Sequence, residues 1–278
     1  MESILLFLDF QKAFDSVEWN FMLKVLKKFN FGENFLKWIN ILYNKPIFRI
    51  KNNGWISKTC SMYRGIRQGC PVSAILFLFV VEILAIVIRS NPNIIGFQKP
   101  GMVQSIKIIQ HADDCTLPLK DEASLKNSLE IIQSFSKVSG MKLNMSKTEC
   151  LLTGPWKNVL QEIENVRVNK TCIKTLGIFI GQNKEMCYNK NWTKIVDDLE
   201  KLFESWKTRK LTIFGKVCVI NSLAIPKFLY TGSILNLPDE GILKKIQSLL
   251  YNFIWNKKRQ DQKKYSDRKN SRWRHRYC

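Results

Sequence analysis

Apolar residues along the first 185 positions follow two different periods, which predicts a mixture of strands and helices. The apolar run Ile4–Phe10, which includes Asp9 near its end, is typical of a buried strand. Helical spacing predicts helices over Val17–Phe29, Phe35–Tyr43 and Asp121–Val138, the last capped by Asp121 and ended near Gly140. Short strands are predicted at Ile94–Phe97, Ser105–Ile109, Cys150–Thr153 and Leu176–Ile180, with a hairpin turn at Asn52-Asn53-Gly54.

The segment Val72–Ile88 is apolar at nearly every position. A helix that is apolar all round belongs either in a protein interior or in lipid. Glu82 lies near its middle, and a charged side chain there disfavours insertion into a bilayer by about 2.5–3.5 kcal/mol. The pattern therefore favours a buried core helix, with a membrane span as the alternative.

The character of the chain changes near residue 185, and from Asn191 onward the pattern is helical. It predicts helices at Trp192–Trp206, Ile213–Ala224 and Asp239–Trp255, with breaks at Pro226 and Pro238. The tryptophans in these helices are expected to be core residues, with base-stacking platforms as the alternative. We predict three regions: a mixed domain over residues 1–185, a helical domain over residues 186–256, and a basic, disordered tail over residues 257–278.

Charge narrows the possible partners. The chain has 278 residues with 44 Lys and Arg against 23 Asp and Glu, a formal net charge of +21. Such an excess is relieved by a polyanion, which indicates nucleic acid first and an anionic membrane second. The eight cysteines are scattered and form no CxxC pair, so neither a zinc site nor a disulfide framework is expected.

Carboxylates at the ends of apolar stretches are the first candidate chemistry. Asp9 lies at the end of a predicted buried strand, and Asp113-Asp114 lies in a predicted turn between two apolar stretches. A buried charge without a partner is costly, and a hard divalent cation such as Mg²⁺ or Mn²⁺ would relieve that cost. The alternative is an ordinary turn at Asp113-Asp114 and a helix N-cap at Asp9.

Five motifs occur in order along the chain, and together they identify a family. They are Leu8-Asp-Phe-Gln-Lys-Ala-Phe-Asp-Ser16, Arg64-Gly-Ile-Arg-Gln-Gly-Cys-Pro-Val-Ser-Ala-Ile-Leu-Phe77, Ala112-Asp-Asp114, Ser139-Gly-Met-Lys-Leu-Asn-Met-Ser-Lys-Thr-Glu149 and Leu176-Gly-Ile-Phe-Ile-Gly181. This series resembles motifs A to E of the reverse transcriptase domain of non-LTR, LINE-1-like retrotransposons. The resemblance extends over about residues 3–260, because the later helical sequence is similar to the region that follows in that branch.

The resemblance implies an α+β fold: a right-hand polymerase palm, with the fingers missing, followed by a helical thumb. It implies RNA-directed DNA polymerase activity, in which a dNTP is added to a primer 3′-OH with Mg²⁺ as cofactor and Mn²⁺ as the alternative. The implied partners are an RNA template, a DNA primer and dNTPs, together with a fingers region or endonuclease from a longer chain. No membrane partner is implied. The implied location is nuclear, and otherwise cytoplasmic.

The resemblance also assigns roles to residues near the carboxylates. Asp9, Asp113 and Asp114 would bind the metal ions, with the Phe10 carbonyl as a further ligand. The nucleotide would be bound by Lys12, Ala13, Phe14, Gln68 and Gly69. Phe14 occupies the position that excludes a ribose 2′-hydroxyl, although a core aromatic is the alternative.

Further basic residues would act on the leaving group and on nucleic acid. Lys147 would donate a proton to pyrophosphate, with Lys142 as a rival and an uninvolved, solvated lysine as the alternative. Nucleic acid would be contacted by Arg64, Arg67, Leu176, Gly177 and Gly181, although the two arginines are equally explained as solvated charges.

Two departures from the family pattern bear on activity. His111 stands where the family usually has an aromatic or apolar residue before Ala-Asp-Asp. The sequence also begins immediately before motif A, so we expect a domain without fingers. The competing hypothesis is therefore a catalytically inactive, nucleic-acid-binding remnant of a retroelement.

Overall fold

A computed structural model describes residues 3–98, 101–153, 162–169 and 171–255, so the predicted tail lies outside the described residues. The chain folds as two compact units, one up to Leu176 and one from Gly177. The domain boundary predicted at residue 185 falls within the second unit, because the strand Ile178–Gly181 is bonded to the helix that begins at Lys184.

The first unit contains thirteen of the described strands and five helices. The strands are β1 (Ser3–Leu8), β2 (Phe10–Gln11), β3 (Ile47–Phe48), β4 (Lys51–Asn52), β5 (Trp55–Ile56), β6 (Cys60–Ser61), β7 (Ile109–His111), β8 (Asp114–Leu119), β9 (Lys142–Leu143), β10 (Glu149–Thr153), β11 (Glu162–Ile163), β12 (Val166–Val168) and β13 (Cys172–Thr175). The helices are α1 (Ala13–Ser16), α2 (Trp19–Lys28), α3 (Glu33–Tyr43), α4 (Ser73–Ser90) and α5 (Glu122–Ser139).

A six-stranded sheet with the order β11-β12-β10-β1-β8-β7 forms the centre of this unit. Strand β1 pairs antiparallel with β8 on one side and β10 on the other, with Leu6 opposite both Leu117 and Cys150. A central strand covered on both faces requires apolar residues at successive positions, which explains the unbroken apolar run at the start of the chain. Three short two-stranded ribbons, β2–β9, β3–β6 and β4–β5, lie within the same unit.

Helices α2, α4 and α5 cover the sheet with apolar side chains. The long apolar segment forms α4, whose residues Leu76, Phe77, Val80, Leu84 and Ile88 are buried in the core. This confirms the prediction of a core helix there. Helix α5 begins where Asp121 accepts a hydrogen bond from the Ser124 amide, and it ends at Gly140 with φ of 80°, as predicted.

The second unit contains β14 (Ile178–Gly181) and a group of helices: α6 (Lys184–Lys207), α7 (Ile213–Val219), α8 (Ile225–Ile234) and α9 (Glu240–Trp255). Its core forms around Trp192, Leu199, Phe203 and Phe253. Trp192 is fully buried, as expected of a core residue, whereas Trp255 is half exposed. Two helical stretches, α4 and Ile213–Ile234, are long and apolar enough to span a membrane. In α4, 44% of the stretch is buried within the protein, compared with 17% of Ile213–Ile234.

The prediction that Pro226 breaks the helix is wrong. A π-helical segment, Ile220–Ala224, joins α7 to α8 without interruption, and Pro226 lies in the first turn of α8. The bond that Pro226 cannot donate falls where the helix changes from the π-helical to the α-helical bonding pattern, one residue after the Ile225 amide bonds the Ile220 carbonyl. The wider turn of the preceding π segment accommodates the change in hydrogen bonding.

Two of the predicted short strands are also wrong. Residues 94–97 and 105–108 form only isolated pairs, Gly96 with Leu119 and Phe97 with Ile106, and a regular strand begins at Ile109. A Cβ atom on Gly96 would lie 2.3 Å from the Ile106 carbonyl oxygen, so the two segments cross in close contact. The predicted turn at Asn53-Gly54 is confirmed, and it joins β4 to β5.

Candidate active site

The three predicted metal-binding carboxylates meet at one edge of the six-stranded sheet. Asp9 directly follows β1, and Ala112 and Asp113 form the turn between β7 and β8, where His111 pairs with Asp114. In the β1–β8 register Leu8 lies opposite Cys115, so the next residue pair brings Asp9 to Asp114. Asp9 caps no helix, since the N-cap of α1 is Lys12. The N-cap interpretation of Asp9 is therefore wrong.

Electrostatics show that these carboxylates affect one another. Burial raises the pKa of Asp114 above its usual value, and the charges of Asp113 and Asp9 raise this pKa further, while His111 lowers it. Within the described ranges, no three His, Cys, Asp or Glu side chains form a closed metal-binding cluster. The ligand chemistry nevertheless fits Mg²⁺ or Mn²⁺, because all three side chains offer hard oxygen ligands at the same end of neighbouring strands.

The direction of the Phe10 carbonyl is set by the neighbouring residue. The Asp9 carbonyl accepts a hydrogen bond from the Asn144 amide at 2.7 Å, on the side of β9. Successive carbonyls along a strand point to opposite sides, so that of Phe10 faces away from β9. This orientation leaves the Phe10 carbonyl available as the further ligand that the sequence predicts.

Two residues beside the carboxylates have a left-handed backbone, which is uncommon for residues with a Cβ atom. Lys12 has φ of 44°, and Ala112, between His111 and Asp113, has φ of 53°. Such conformations occur where the surrounding structure enforces them, often at functional sites. Lys12 turns the chain from β2 into α1, and Ala112 turns it from β7 into β8, where Asp113 and Asp114 lie.

A cleft of about 520 Å³ opens next to Asp9. Its lining includes four basic side chains, Lys12, Arg64, Lys142 and Lys147, and two acidic ones, Asp9 and Asp15. We call this cavity the basic cleft. Its net charge of +2 and its position beside carboxylates suit a ligand that carries several phosphates, since fixed cations stabilise such a ligand at close range.

Main-chain contacts hold the walls of the basic cleft together. The Gly65 amide donates to the Val17 carbonyl, the Ile66 amide to the Phe14 carbonyl, and the Glu18 amide to the Ser139 carbonyl. A Cβ atom on Gly65 would lie 2.7 Å from the Asp15 carbonyl oxygen, and one on Gly140 would lie 2.4 Å from that of Ser16. Only glycine allows these backbones to approach so closely at positive φ.

The predicted nucleotide-binding residues have different surroundings. Ala13 is buried, whereas the half-buried Phe14 ring stacks on Phe77 with ring centres 4.0 Å apart. The Gln68 side-chain amide donates to Asp15 at 3.4 Å. Gly69 has φ of 81°, with open space where a Cβ atom would lie. Phe14 therefore belongs partly to the core, and Gln68 and Gly69 lie at the surface.

The two predicted arginines differ from each other. Arg64 lines the basic cleft and lies 4.0 Å from Glu18 in an exposed ion pair. Arg67 donates to the Leu42 carbonyl at 3.3 Å and lies over the Tyr43 ring. The Arg67 guanidinium therefore contacts α3 and attaches to it the loop that precedes α4.

The remaining predicted residues are Leu176 at the end of the first unit, and Gly177 and Gly181 in the second. Leu176 is exposed with φ of 46°, and Gly177 follows with φ of 83°. Gly181 ends β14. Within the second unit, the Asn191 side chain bonds both the amide and the carbonyl of Phe179 and so fixes β14 on α6.

Sequence reasoning missed how the Lys147 segment is attached. Lys142 and Lys147 both line the basic cleft, so both remain candidates for the lysine that protonates pyrophosphate. Asn144 and Thr148, which flank Lys147, are hydrogen-bonded to the backbone of Asp9. Both residues lie within the fourth motif, but a contact spanning 139 positions leaves no local signal.

The reverse transcriptase (RNA-dependent DNA polymerase) family matches residues 1–180. The chain belongs to the reverse transcriptase family. The match includes all three carboxylates and the basic cleft, and it confirms the identification made from the motifs.

Retrotransposon proteins are among its relatives. The chain is 26% identical to the transposon TX1 uncharacterized 149 kDa protein of Xenopus laevis over 252 residues, 89% of this chain and 19% of that protein. It is 26% identical to the Pol polyprotein of the type-1 retrotransposable element R2 of Popillia japonica, over 80% of this chain and 32% of the relative. The chain thus spans between a fifth and a third of these relatives, as a reverse transcriptase domain of the non-LTR type.

Telomerase structures also resemble this chain. Apo telomerase from Candida tropicalis matches 91% of the chain and 46% of its own length, with a TM-score of 0.46 and 10% identity. Telomerase from Candida albicans, solved with a fragment of telomeric RNA, matches 91% of the chain and 40% of its own length, with a TM-score of 0.41 and 12% identity.

Proposed function

We propose that this chain catalyses RNA-templated addition of dNTPs to a primer 3′-OH. The observation that carries the proposal is the basic cleft next to Asp9, at the sheet edge where Asp113 and Asp114 also lie. The first unit would act as the polymerase palm and the second as a helical thumb.

The carboxylates would hold the divalent metal. Asp9, Asp113 and Asp114 would coordinate it with the Phe10 carbonyl as an additional ligand. When bound there, Mg²⁺ or Mn²⁺ supplies stabilisation of the charge that develops as the primer 3′-oxygen attacks the α-phosphate. Burial and the charges of Asp113 and Asp9 raise the pKa of Asp114, and a bound cation would favour its charged form.

The basic cleft would bind the triphosphate. Lys12, Arg64 and Lys142 would neutralise phosphate oxygens, and the amides around Lys12 and Ala13 would donate hydrogen bonds to them. Lys147, which also lines the cleft, would protonate the departing pyrophosphate. Fixed cations act strongly at this stage because their orientation is set before the charge appears.

Selection of the sugar would depend on Phe14. Stacking on Phe77 restricts the Phe14 ring, and a ring held in one position excludes a 2′-hydroxyl better than a mobile one. Gln68 and the open backbone at Gly69 would border the base and the template. The partners would be an RNA template and a DNA primer, drawn to a chain of net charge +21.

Primer extension tests the proposal. The full chain is incubated with poly(rA)–oligo(dT), dTTP and Mg²⁺, beside the variants Asp113→Asn and Asp121→Asn. Asp121 caps α5 and does not line the basic cleft, so its variant controls for the loss of a negative charge. We expect extension by the wild type and Asp121→Asn but not by Asp113→Asn. Equal extension by all three proteins would contradict the metal-binding assignment.

The net charge favours a second candidate function, sequence-independent binding of nucleic acid without catalysis. In that case, duplex affinity falls as salt rises and does not depend on Mg²⁺ or on Asp113. Retained duplex binding by the wild type, with no extension at any Mg²⁺ or Mn²⁺ concentration, would support this candidate over the polymerase.

A further inference from the structure

The segment that carries Lys147 is a closed turn. The Asn144 carbonyl accepts hydrogen bonds from the Lys147 amide at 3.1 Å, the Thr148 amide at 2.8 Å and the Thr148 hydroxyl at 2.9 Å. Three donors converge on one carbonyl and close residues 144–148 into a hydrogen-bonded turn. We call them the Lys147 turn.

The Lys147 turn is attached to Asp9 at both of its ends. The Asn144 amide donates to the Asp9 carbonyl at 2.7 Å, and the Asp9 amide donates to the Thr148 hydroxyl oxygen at 3.5 Å. The main chain of Asp9 is therefore held on either side of its Cα atom by one rigid turn. The position of its carboxylate then depends on the position of that turn.

The hydroxyl of Thr148 is the side-chain group in this connection. Thr148 is fully buried, so water has no access to replace a missing hydroxyl. The hydroxyl accepts from Asp9 and donates to Asn144, and valine, which has nearly the same shape, can do neither. Valine at this position would leave the Asp9 amide without its acceptor, which disfavours the present position of the Asp9 main chain.

We propose that Thr148 is a positioning residue, which fixes the Asp9 carboxylate and the Lys147 ammonium relative to each other in the lining of the basic cleft. The inference rests on the proposed function, because it assigns Asp9 to the metal and Lys147 to the leaving group. Removal of a group that is hydrogen-bonded to a metal ligand, and so orients it, commonly lowers metal affinity or activity by about 10- to 100-fold.

The test is Mn²⁺ binding by the full chain, followed by electron paramagnetic resonance, which requires no turnover. The variants are Thr148→Val, Thr148→Ser, Ser146→Ala and Asp9→Asn. Ser146 is the matched control, because its hydroxyl bonds the Asn144 side chain within the same turn and has no bond to Asp9. We expect Mn²⁺ affinity to fall about tenfold in Thr148→Val and to stay near that of the wild type in Thr148→Ser and Ser146→Ala.

The outcomes separate the inference from the function on which it rests. Wild-type affinity in Thr148→Val, together with a loss in Asp9→Asn, would overturn the positioning role and leave the metal site in place. Equal affinity in the wild type and Asp9→Asn would overturn both. A lower melting temperature of Thr148→Val with unchanged Mn²⁺ affinity would show that Thr148 serves only stability, and this too would overturn the inference.

A measurement on the wild type covers the case in which Thr148→Val fails to fold. Amide hydrogen exchange is compared with and without Mg²⁺. If the turn and Asp9 move as one body, Mg²⁺ slows exchange at Asn144, Lys147 and Thr148 together with Asp9. Slowing confined to the residues around Asp9 would overturn the proposed coupling.

Discussion

Replacement of Asn191 by leucine removes a buried amide from the second unit. The side-chain oxygen of Asn191 accepts a hydrogen bond from the Phe179 backbone amide at 2.8 Å. Its side-chain NH₂ group donates to the backbone carbonyls of Phe179 and Cys187 at 2.9 and 2.8 Å. Leucine has a similar volume but no polar atom. The change therefore tests the hydrogen bonds that fix β14 on α6 with little change in packing.

The expected cost follows from the groups left without partners. The amide and carbonyl of Phe179 both lose their bonds, and each such group costs about 1–3 kcal/mol when it is buried. Phe179 is only partly buried, so water can reach these groups in part and the lower half of that range applies. We expect the free energy of unfolding of the second unit to fall by about 2–4 kcal/mol.

Urea denaturation followed by tryptophan fluorescence measures this change, because Trp192 and Trp206 lie in α6. Asn189→Ala, at an exposed position of the same helix, is the control and should change stability by less than about 0.5 kcal/mol. If Asn191→Leu unfolds at the same urea concentration as Asn189→Ala, the side-chain bonds to Phe179 contribute nothing and the reasoning is refuted.

Three further predictions concern the first unit. Gly140→Ala should lower the melting temperature markedly more than Gly32→Ala, because a Cβ atom at position 140 would meet the Ser16 carbonyl whereas one at position 32 would meet open space. Equal melting temperatures of the two variants would contradict the close approach at Gly140. Asp114→Asn should raise stability at neutral pH, because the pKa of Asp114 is raised in the folded state and its charge therefore opposes folding above that pKa. In a series of melting curves, this gain in stability should shrink as the pH falls through the folded-state pKa. A loss of stability at pH 7 would count against this assignment. Phe14→Val should increase the incorporation of ribonucleotides relative to deoxyribonucleotides at least several-fold in a primer-extension assay, whereas unchanged discrimination would place Phe14 in the core alone.

Local patterns in the sequence predicted most of the first unit. The helix from Asp121 to Gly140 has its cap, its apolar face and its terminal glycine within one continuous stretch, and the structure confirms all three. The helix around Pro226 was mispredicted because the π segment before it, which has no simple sequence signal, changes the hydrogen bonding. The segments at 94–97 and 105–108 are apolar enough for strands, but they cross too briefly to form a ladder.

The candidate site was predictable in its chemistry and less so in its construction. The carboxylates and lysines stand in recognisable motifs, and the structure brings Asp9, Lys12, Arg64 and Lys147 around one cleft. The attachment of Asp9 to Thr148 depends on the pairing of β2 with β9, which joins distant parts of the chain. Arg67 shows the converse, because its motif position suggests a ligand contact while its bonds go to α3.

The walls of the basic cleft are joined through amides and carbonyls, and this has a consequence for how such a protein can diverge. The bonds between Gly65 and Val17, Ile66 and Phe14, and Glu18 and Ser139 involve no side chain. Val17, Ile66 and Ser139 are buried, so packing limits their replacements, but any residue except proline keeps these backbone donors and acceptors. Lineages can therefore exchange side chains of similar volume around the cleft while its shape is inherited, whereas the glycines at the closest crossings admit no side chain.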